Sequence, residues 1–515
     1  MRVTTQSGHR NLKAYQGFLI PIHKLGNTVI NMNFNTLSIF RRSLTLMIAG
    51  TLLIALPAVA QEKKTWSLED CINYARQNNL NVRKQMLSIR VAQADLLSSK
   101  ASLLPSINGS ANHVYNWGQT IDMYTNQFAT ERVQSNNFYI QGNVTIFNGF
   151  QKLNQIRNSQ LNLQISKLNV EKTMNDISLN VVTFYLQTLF YIELEKTTKE
   201  QWEVTKQQVE KTRRMVEAGT MAQGELFNTE SQAATEELAW VEARNNLNIS
   251  YLTLSQLLDL NNMPDFTIDI PEILRINLTA NVPEPKEVYD YAIENQPDVK
   301  ASKINVAMAN RSLSIARGQH SPTLSIGGSW GTGYSGAAKE GYNAKDVLVP
   351  IGETAIGKET VLGYGTSYEY RTKSFSDQIR DNENKSLGLY LSIPILNGLS
   401  TRTAISKAKI GVENANLDLE IQSNNLNKII QQAHADALAA LQKFTASQKK
   451  LTAATESFHY AEKKFNVGML TSIEYNENKK NLSKAESDLL QARFDYIFKT
   501  KILDFYLGKE LTLNK

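Results

Sequence analysis

Apolar positions along the chain follow two periods. From Phe150 to Ala218 there is neither glycine nor proline. Within that run Met174, Ile177, Val181, Phe184, Thr188, Tyr191, Glu195, Thr198, Trp202, Thr205, Val209, Thr212 and Val216 step by three and four, the spacing of a coiled-coil seam on one very long helix. At 1.5 Å per residue such a helix reaches roughly 100 Å. A second run, 399 to 467, repeats it with only Gly411 interrupting. Just before each run the period drops to two: Phe138, Ile140, Gly142, Val144 and Ile146 alternate with Tyr139, Gln141, Asn143 and Thr145, and Leu387, Leu389, Leu391 and Ile393 alternate with Gly388, Tyr390 and Ser392. These are strands with one apolar face. Weaker strands are predicted near 106–117 and 323–334. In the first, Ala111, Tyr115 and Trp117 oppose Asn108, Ser110, Asn112 and Asn116, and His113 falls on the outward face as an interfacial residue rather than a metal ligand.

The pattern occurs twice. Residues 74–85 lie over 291–302 at an offset of 217, which also sets Pro105 on Pro322 and His113 on Trp330. From "FNG" (147–149) over "LNG" (396–398) the offset is 249, and it holds through Gly219 on Gly468, Glu225 on Glu474 and Leu258 on Leu507. The 32 extra residues of the second copy fall between about 335 and 386, a Gly-, Tyr-, Ser- and Lys-rich stretch that reads as a long exposed loop. Each copy predicts a short helix, a medium helix, two strands, a very long helix, a glycine break and a returning helix. The expected organisation is a first repeat at 61–260, a linker at 261–285, a second repeat at 286–510 and a tail at 511–515.

Charge changes little in this picture. Six of the 55 Lys and Arg, and none of the 49 Asp and Glu, fall in the first 60 residues, so the remaining body is balanced and offers no basic field for nucleic acid. Arg41-Arg42, the apolar run Leu44 to Leu56 and "AVAQ" have the form of a secretory signal over 1–60, with Gln61 as first mature residue and Met32 as an alternative start. A single cysteine, Cys71, excludes an internal disulfide and reads as a small buried apolar residue.

Ten-residue alternating strands in an exported chain fit an outer-membrane β-barrel, but four strands cannot close one, so copies must pool them. A soluble two-sheet domain on a coiled-coil stalk is the other reading of the same pattern. The duplicated order, the "FNG" and "LNG" turns, Pro105 and Pro322 at the helix-to-strand turns, and "KFNVGMLTSIEYNENKKNLSKAESDLLQARFDYI" (464–497) resemble the TolC-type outer-membrane efflux protein family from Trp66 to about Lys509. The resemblance implies an α+β membrane protein: a homotrimer whose twelve-stranded transmembrane barrel, four strands per chain, continues as a periplasmic α-helical coiled-coil barrel. It also implies partners, namely a periplasmic adaptor and an inner-membrane transporter, with outer-membrane lipid around the strands. Where many relatives carry Asp-Gly-Gly, this chain has Asn148-Gly149-Phe150 and Asn397-Gly398-Leu399, in which the asparagine is expected to cap the helix.

Gly219 and Gly468 are expected to end the long helices in left-handed backbone, with Thr220, or Thr471 with Ser472, starting the return. By resemblance Val216, Gly219, Thr220, Met221, Val467, Gly468, Met469 and Leu470 match adaptor-docking positions. Glu474 and Glu477 fall where relatives ring the narrowest part of the tunnel with aspartates, and the first copy keeps Glu225 but has Asn228 at the second position. Crowded carboxylates of this kind should raise some of their own pKa values. The six histidines show no metal-ligand spacing, and no nucleophile elbow or phosphate loop is present, so no cofactor and no enzyme activity is expected. The expected function is a passive export duct; the alternative is an exported coiled-coil spacer or adhesin.

Overall fold

The computed structural model of the chain describes residues 65–129, 132–260, 266–271 and 282–513. The expected signal segment, with Met32 and Gln61, lies outside the described residues. The first copy comprises β1 (Thr65–Trp66), α1 (Leu68–Asn78), α2 (Leu80–Ala101), β2 (Ser106–Asn116), β3 (Thr120–Ile121), β4 (Phe128–Ala129), β5 (Val133–Asn148), α3 (Gln151–Glu217) and α4 (Gln223–Leu257). After β6 (Thr267–Ile268), the second copy comprises α5 (Pro285–Asn295), α6 (Pro297–Gly318), β7 (Thr323–Ser335), β8 (Lys339–Glu353), β9 (Thr360–Thr372), α7 (Phe375–Asp381), β10 (Asn384–Ser392), α8 (Ser400–Asn466) and α9 (Ser472–Tyr506). Shifted by 249, α3 and α4 coincide with α8 and α9 end to end: both long helices have 67 residues and both returning helices 35. Every seam position named above is buried or half-buried, threonines included, because a hydroxyl can turn back to the carbonyl four residues earlier, as Thr188 does to Phe184 and Thr198 to Leu194.

The principal sheet is antiparallel in the order β10-β7-β5-β2, so the two copies meet at β5 on β7 and leave β2 and β10 as open edges. Its register sorts the faces. Ile107, Gly109, Ala111 and His113 stand beside Gly142, Ile140, Phe138 and Asn136, and Leu387, Leu389 and Leu391 beside Gly328, Ile326 and Leu324. On the reverse face lie Asn108, Gln141, Asn143, Ser325, Ser329 and Ser386. The expected first-copy strand is one residue irregular, with a bulge between Thr145 and Phe147. Its counterpart is shorter than expected: β10 stops at Ser392, leaving Ile393 outside, because Pro394, which has no N–H to give the ladder, follows at once.

Helices continue the order of the strands. α2 packs on α3, α3 on α6 and α6 on α8, while below them α4 packs on α3, α3 on α9 and α9 on α8. Two cores result, one of Cys71, Ala75, Val82, Val181, Tyr185, Leu189 and Leu254, the other of Val288, Ala292, Val299, Ile430, Ala437 and Leu503. Cys71 occupies in the first what Val288 occupies in the second, and burial pushes its thiol up to about 12. Among the described residues one helix, α3, contains an 18-residue window apolar enough to cross a membrane, with mean hydropathy 1.3. Val181, Val182, Tyr185, Leu186 and Leu189 of that helix are buried in the first core.

Four expectations change. The 335–386 stretch is no loop: β8 and β9 form a long antiparallel hairpin, followed by α7. The tail packs inward, with Leu513 buried in the first core. Part of the linker is a parallel pairing of β6 with β1, whose carbonyls at Trp66 and Asp269 accept from the buried Tyr185 hydroxyl. At the strand-to-helix turns Asn148 and Asn397 are not the N-caps. Gly149 and Gly398 are left-handed and the cap positions are Phe150 and Leu399, at φ 60° and 63°. Asn148 instead accepts weakly from the Lys152 N–H at 3.4 Å, and Asn397 donates to Thr401 Oγ1 at 2.5 Å. Pro105 and Pro322 sit as expected, one residue before β2 and β7.

Candidate functional site at the hairpin tips

Each long helix ends in the same way. The Gly219 N–H donates to Val216 O at 2.9 Å and the Thr220 N–H reaches back to Met215 O at 2.9 Å; Gly468 and Met469 repeat this to Phe465 O at 3.0 Å and Lys464 O at 2.8 Å. Both glycines are left-handed, φ 76° and 75°, and a Cβ on either would touch nothing, so backbone conformation alone selects glycine. Starts of the returning helices differ. Thr471 caps α9 in a reciprocal box with Glu474: its N–H and hydroxyl reach Glu474 Oε2 at 3.1 and 2.9 Å, and Glu474 N–H reaches Thr471 Oγ1 at 3.3 Å. Thr220 caps nothing, contrary to expectation; its hydroxyl donates to Met215 O at 2.9 Å and Ala222 is the N-cap of α4.

Of the three expected carboxylates, two are engaged within the chain. Within the single chain, hydrogen bonds from the Thr471 backbone and side chain hold the Glu474 carboxyl below its ordinary range. Glu225, half-buried, accepts from the Ser472 hydroxyl, which joins the two tips. Glu477 is exposed. Val467, Gly468, Met469, Gly219 and Thr220 are exposed, while Val216, Met221 and Leu470 are half-buried. Phe227 and Ile473, not expected from sequence, add exposed apolar surface. Behind the first tip, Gln207, Lys211, Arg214, Met215 and Ala218 line an open groove of about 440 Å³. Inside the tips the copies diverge: Tyr475 stacks on Phe465 at 4.6 Å, where the first copy has Leu226 and Val216.

Higher up, a buried charged group escapes sequence reading. Lys479 Nζ lies 3.2 Å from Glu236 Oε1 and also donates to Thr205, whose hydroxyl in turn donates to Glu236. Side-chain exposures of 9% and 11% mark the pair as interior, and it pins α9 to the α3–α4 hairpin. Nothing in the seam spacing distinguishes this lysine and glutamate from surface ones.

This architecture is that of known export channels. Residues 71–259 and 288–509 match the outer membrane efflux protein family, one match for each copy. The chain belongs to that family. Relatives include the outer membrane efflux protein BepC of Brucella suis, 20% identical over 89% of both chains, and the outer membrane protein TolC of Escherichia coli, 22% identical over 86% of this chain and 81% of that one. Solved structures of similar fold include CusC (TM-score 0.68, 14% identity, covering 87% and 94% of the two chains) and the open-state MtrE outer membrane channel of Neisseria gonorrhoeae (0.65, 14%, 87% and 90%). The protein is therefore an outer-membrane efflux channel of the tripartite kind, working with an adaptor and an inner-membrane transporter, and not an enzyme; the spacer alternative falls away.

Proposed function

We propose that three copies close head to tail into one duct, with a twelve-stranded barrel in the outer membrane above a helical tunnel. The observation that carries this is that strands and helices leave the same two sides open. β2 and α2 end the array on one side, β10 and α8 on the other, and near the tips α4 takes the place of α2. Each open side bears apolar stripes at helical spacing that are exposed: Leu80, Leu87 and Val91 on α2, Leu238, Val241 and Leu252 on α4, Ile410, Leu417 and Ile421 on α8. Open strand edges are not tolerated in lipid, and two edges of one chain complement each other only through a heterologous, ring-closing contact. The outward sheet face is apolar, with Leu387 83% and Leu389 67% exposed. That band is flanked by Tyr115 and Trp117 at one end and Phe147, Phe150 and Leu399 at the other, the arrangement of a membrane belt.

In this reading the exposed residues of both tips dock the adaptor, and Glu474, Glu477 and Glu225 crowd around the periplasmic end. Two such charges about 6 Å apart at an effective dielectric near 20 repel by roughly 3 kcal/mol, enough to draw cations into the constriction. Native mass spectrometry of the detergent-solubilised protein, with single-channel recording in planar bilayers, tests the reading: three chains per particle and a conducting pore are expected, and a monomer or a non-conducting particle would refute it.

A further inference from the structure

The internal repeat lets the contact between neighbouring copies be read from a contact already inside one chain. Within the chain, the first copy meets the second along β5 on β7, α3 on α6 and, nearer the tips, α3 on α9. Shifted by the repeat offsets, α3 becomes α8, α6 becomes α2 and α9 becomes α4, and those are the elements on the two open sides. Closing the ring, the reading on which this inference rests, therefore repeats the internal seam between copies, and each internal contact acquires an image there.

Two images are informative. Asn158 Nδ2 on α3 donates to Ser312 Oγ on α6 at 3.1 Å, and the image residues are Lys407 and Asp95. Gln201 Nε2 on α3 donates to Glu486 Oε2 on α9 at 2.9 Å, and the image residues are Lys450 and Glu237. All four are exposed in the single chain, where Lys450 makes a surface pairing with Asp488 at 2.7 Å. A neutral contact and a half-neutral one have both become contacts between opposite charges. This matching is not inherited wholesale: the internal pairs Lys172–Asp298 and Thr205–Lys479 map onto Ile421 with Asn81 and Ala454 with Glu230.

We infer that neighbouring copies are keyed by two ion pairs, Lys407 to Asp95 of the next copy and Lys450 to Glu237 of the next copy. Both cations stand on α8 and both acids on the opposite side, so like sides repel and only head-to-tail association is favoured. The same shift sets the strand register. Ile140 beside Trp330 becomes Leu389 beside His113 of the next copy, and Gln141 beside Ser329 becomes Tyr390 beside Asn112 of the next copy.

The test is charge reversal in the full-length protein, read by native mass spectrometry and by the temperature at which the trimer dissociates in detergent. Asp95→Lys or Lys407→Glu alone should lower that temperature by roughly 2–5 °C, and the two together should restore it; Glu237→Lys with Lys450→Glu should behave likewise. Added salt should shrink the differences. Unchanged single variants, or a double variant no better than the sum of its singles, overturn the keying, whereas a monomeric wild type would refute the ring itself. Because all four positions are exposed, helical content of the monomer serves as the folding control. Oxidation of Leu389→Cys/His113→Cys should give covalent trimers, with the buried Cys71 a bystander. If Leu387→Cys/His113→Cys cross-links better, the register is wrong.

Discussion

Phe150 and Leu399 hold left-handed backbone that costs an ordinary side chain about 1–2 kcal/mol. Phe150 packs edge-on against Phe147 at 5.4 Å, and Leu399 stays 63% exposed at the same level of its own copy. Leu399→Gly should therefore raise thermal stability in detergent by up to about 1 kcal/mol while weakening partition into lipid, measurable by calorimetry and by liposome incorporation. The sequence concealed this because Asn-Gly announces a turn without saying which residue closes it. At the tips, Glu474 is occupied by Thr471 whereas Glu477 is exposed. Glu477→Gln should thus reduce cation selectivity and divalent block in bilayers more than Glu474→Gln does; equal effects would contradict that division of roles. On the extracellular side of the proposed barrel, Asp122 accepts from Ser335 Oγ at 2.5 Å and from the Thr125 and Tyr124 N–H groups at 2.9 and 3.1 Å. Burial by itself would push its carboxyl up, but these bonds outweigh it and hold the group below the ordinary carboxylate value. A depressed folded-state pKa contributes stability above the unfolded value near 4, lost as pH falls through the folded one. Protease cleavage of the 117–128 loop should accordingly rise below about pH 4, and Asp122→Asn should abolish that dependence.

Among elements, the Lys479–Glu236 pair is the buried charged contact between two hairpins that also meet through the Gln201–Glu486 and Ser472–Glu225 hydrogen bonds. Removing one partner leaves a buried charge, so Lys479→Met should cost about 3–5 kcal/mol, whereas Lys479→Met with Glu236→Leu should come close to wild type. Hydrogen exchange in α4 and α9 would register the difference. Long helices were legible to within a residue at each end, since runs of 150–218 and 399–467 free of proline and almost free of glycine, one with a seam of threes and fours from Met174 to Val216, leave no other solution. The β8–β9 hairpin was not: Gly363 and Gly365 face Ile351 and Val349, which fill their missing side chains, and two register slips, at 342–345 and 350–352, break the alternation that would reveal strands. Partners such as Glu236 stayed hidden because burial of a charge depends on which helix arrives opposite, and α9 comes from 243 residues away.

For the whole molecule, duplication was the most legible feature and closure the least, since a single chain carries only the two halves of a joint. α3 and α8 leave the strands of the sheet at one end, and the β8–β9 hairpin with α7 rises from the other. In the proposed duct that second end is the one that faces out of the cell. A tag inserted in the turn at 354–359 should be labelled on intact cells, and labelling only after the outer membrane is opened would invert the topology. Equal helices of 67 residues and equal returns of 35 also bring both tips to one level, as the legs of a table must be. A channel of this plan cannot lengthen by a single insertion. One added residue would rotate a tip by about 100° about its own axis, and one added heptad in α3 and α4 alone would leave a leg roughly 10 Å too long. Changes of reach must be made in both halves of the gene together and in steps of whole heptads, so related channels should differ in tunnel length by discrete increments rather than drift.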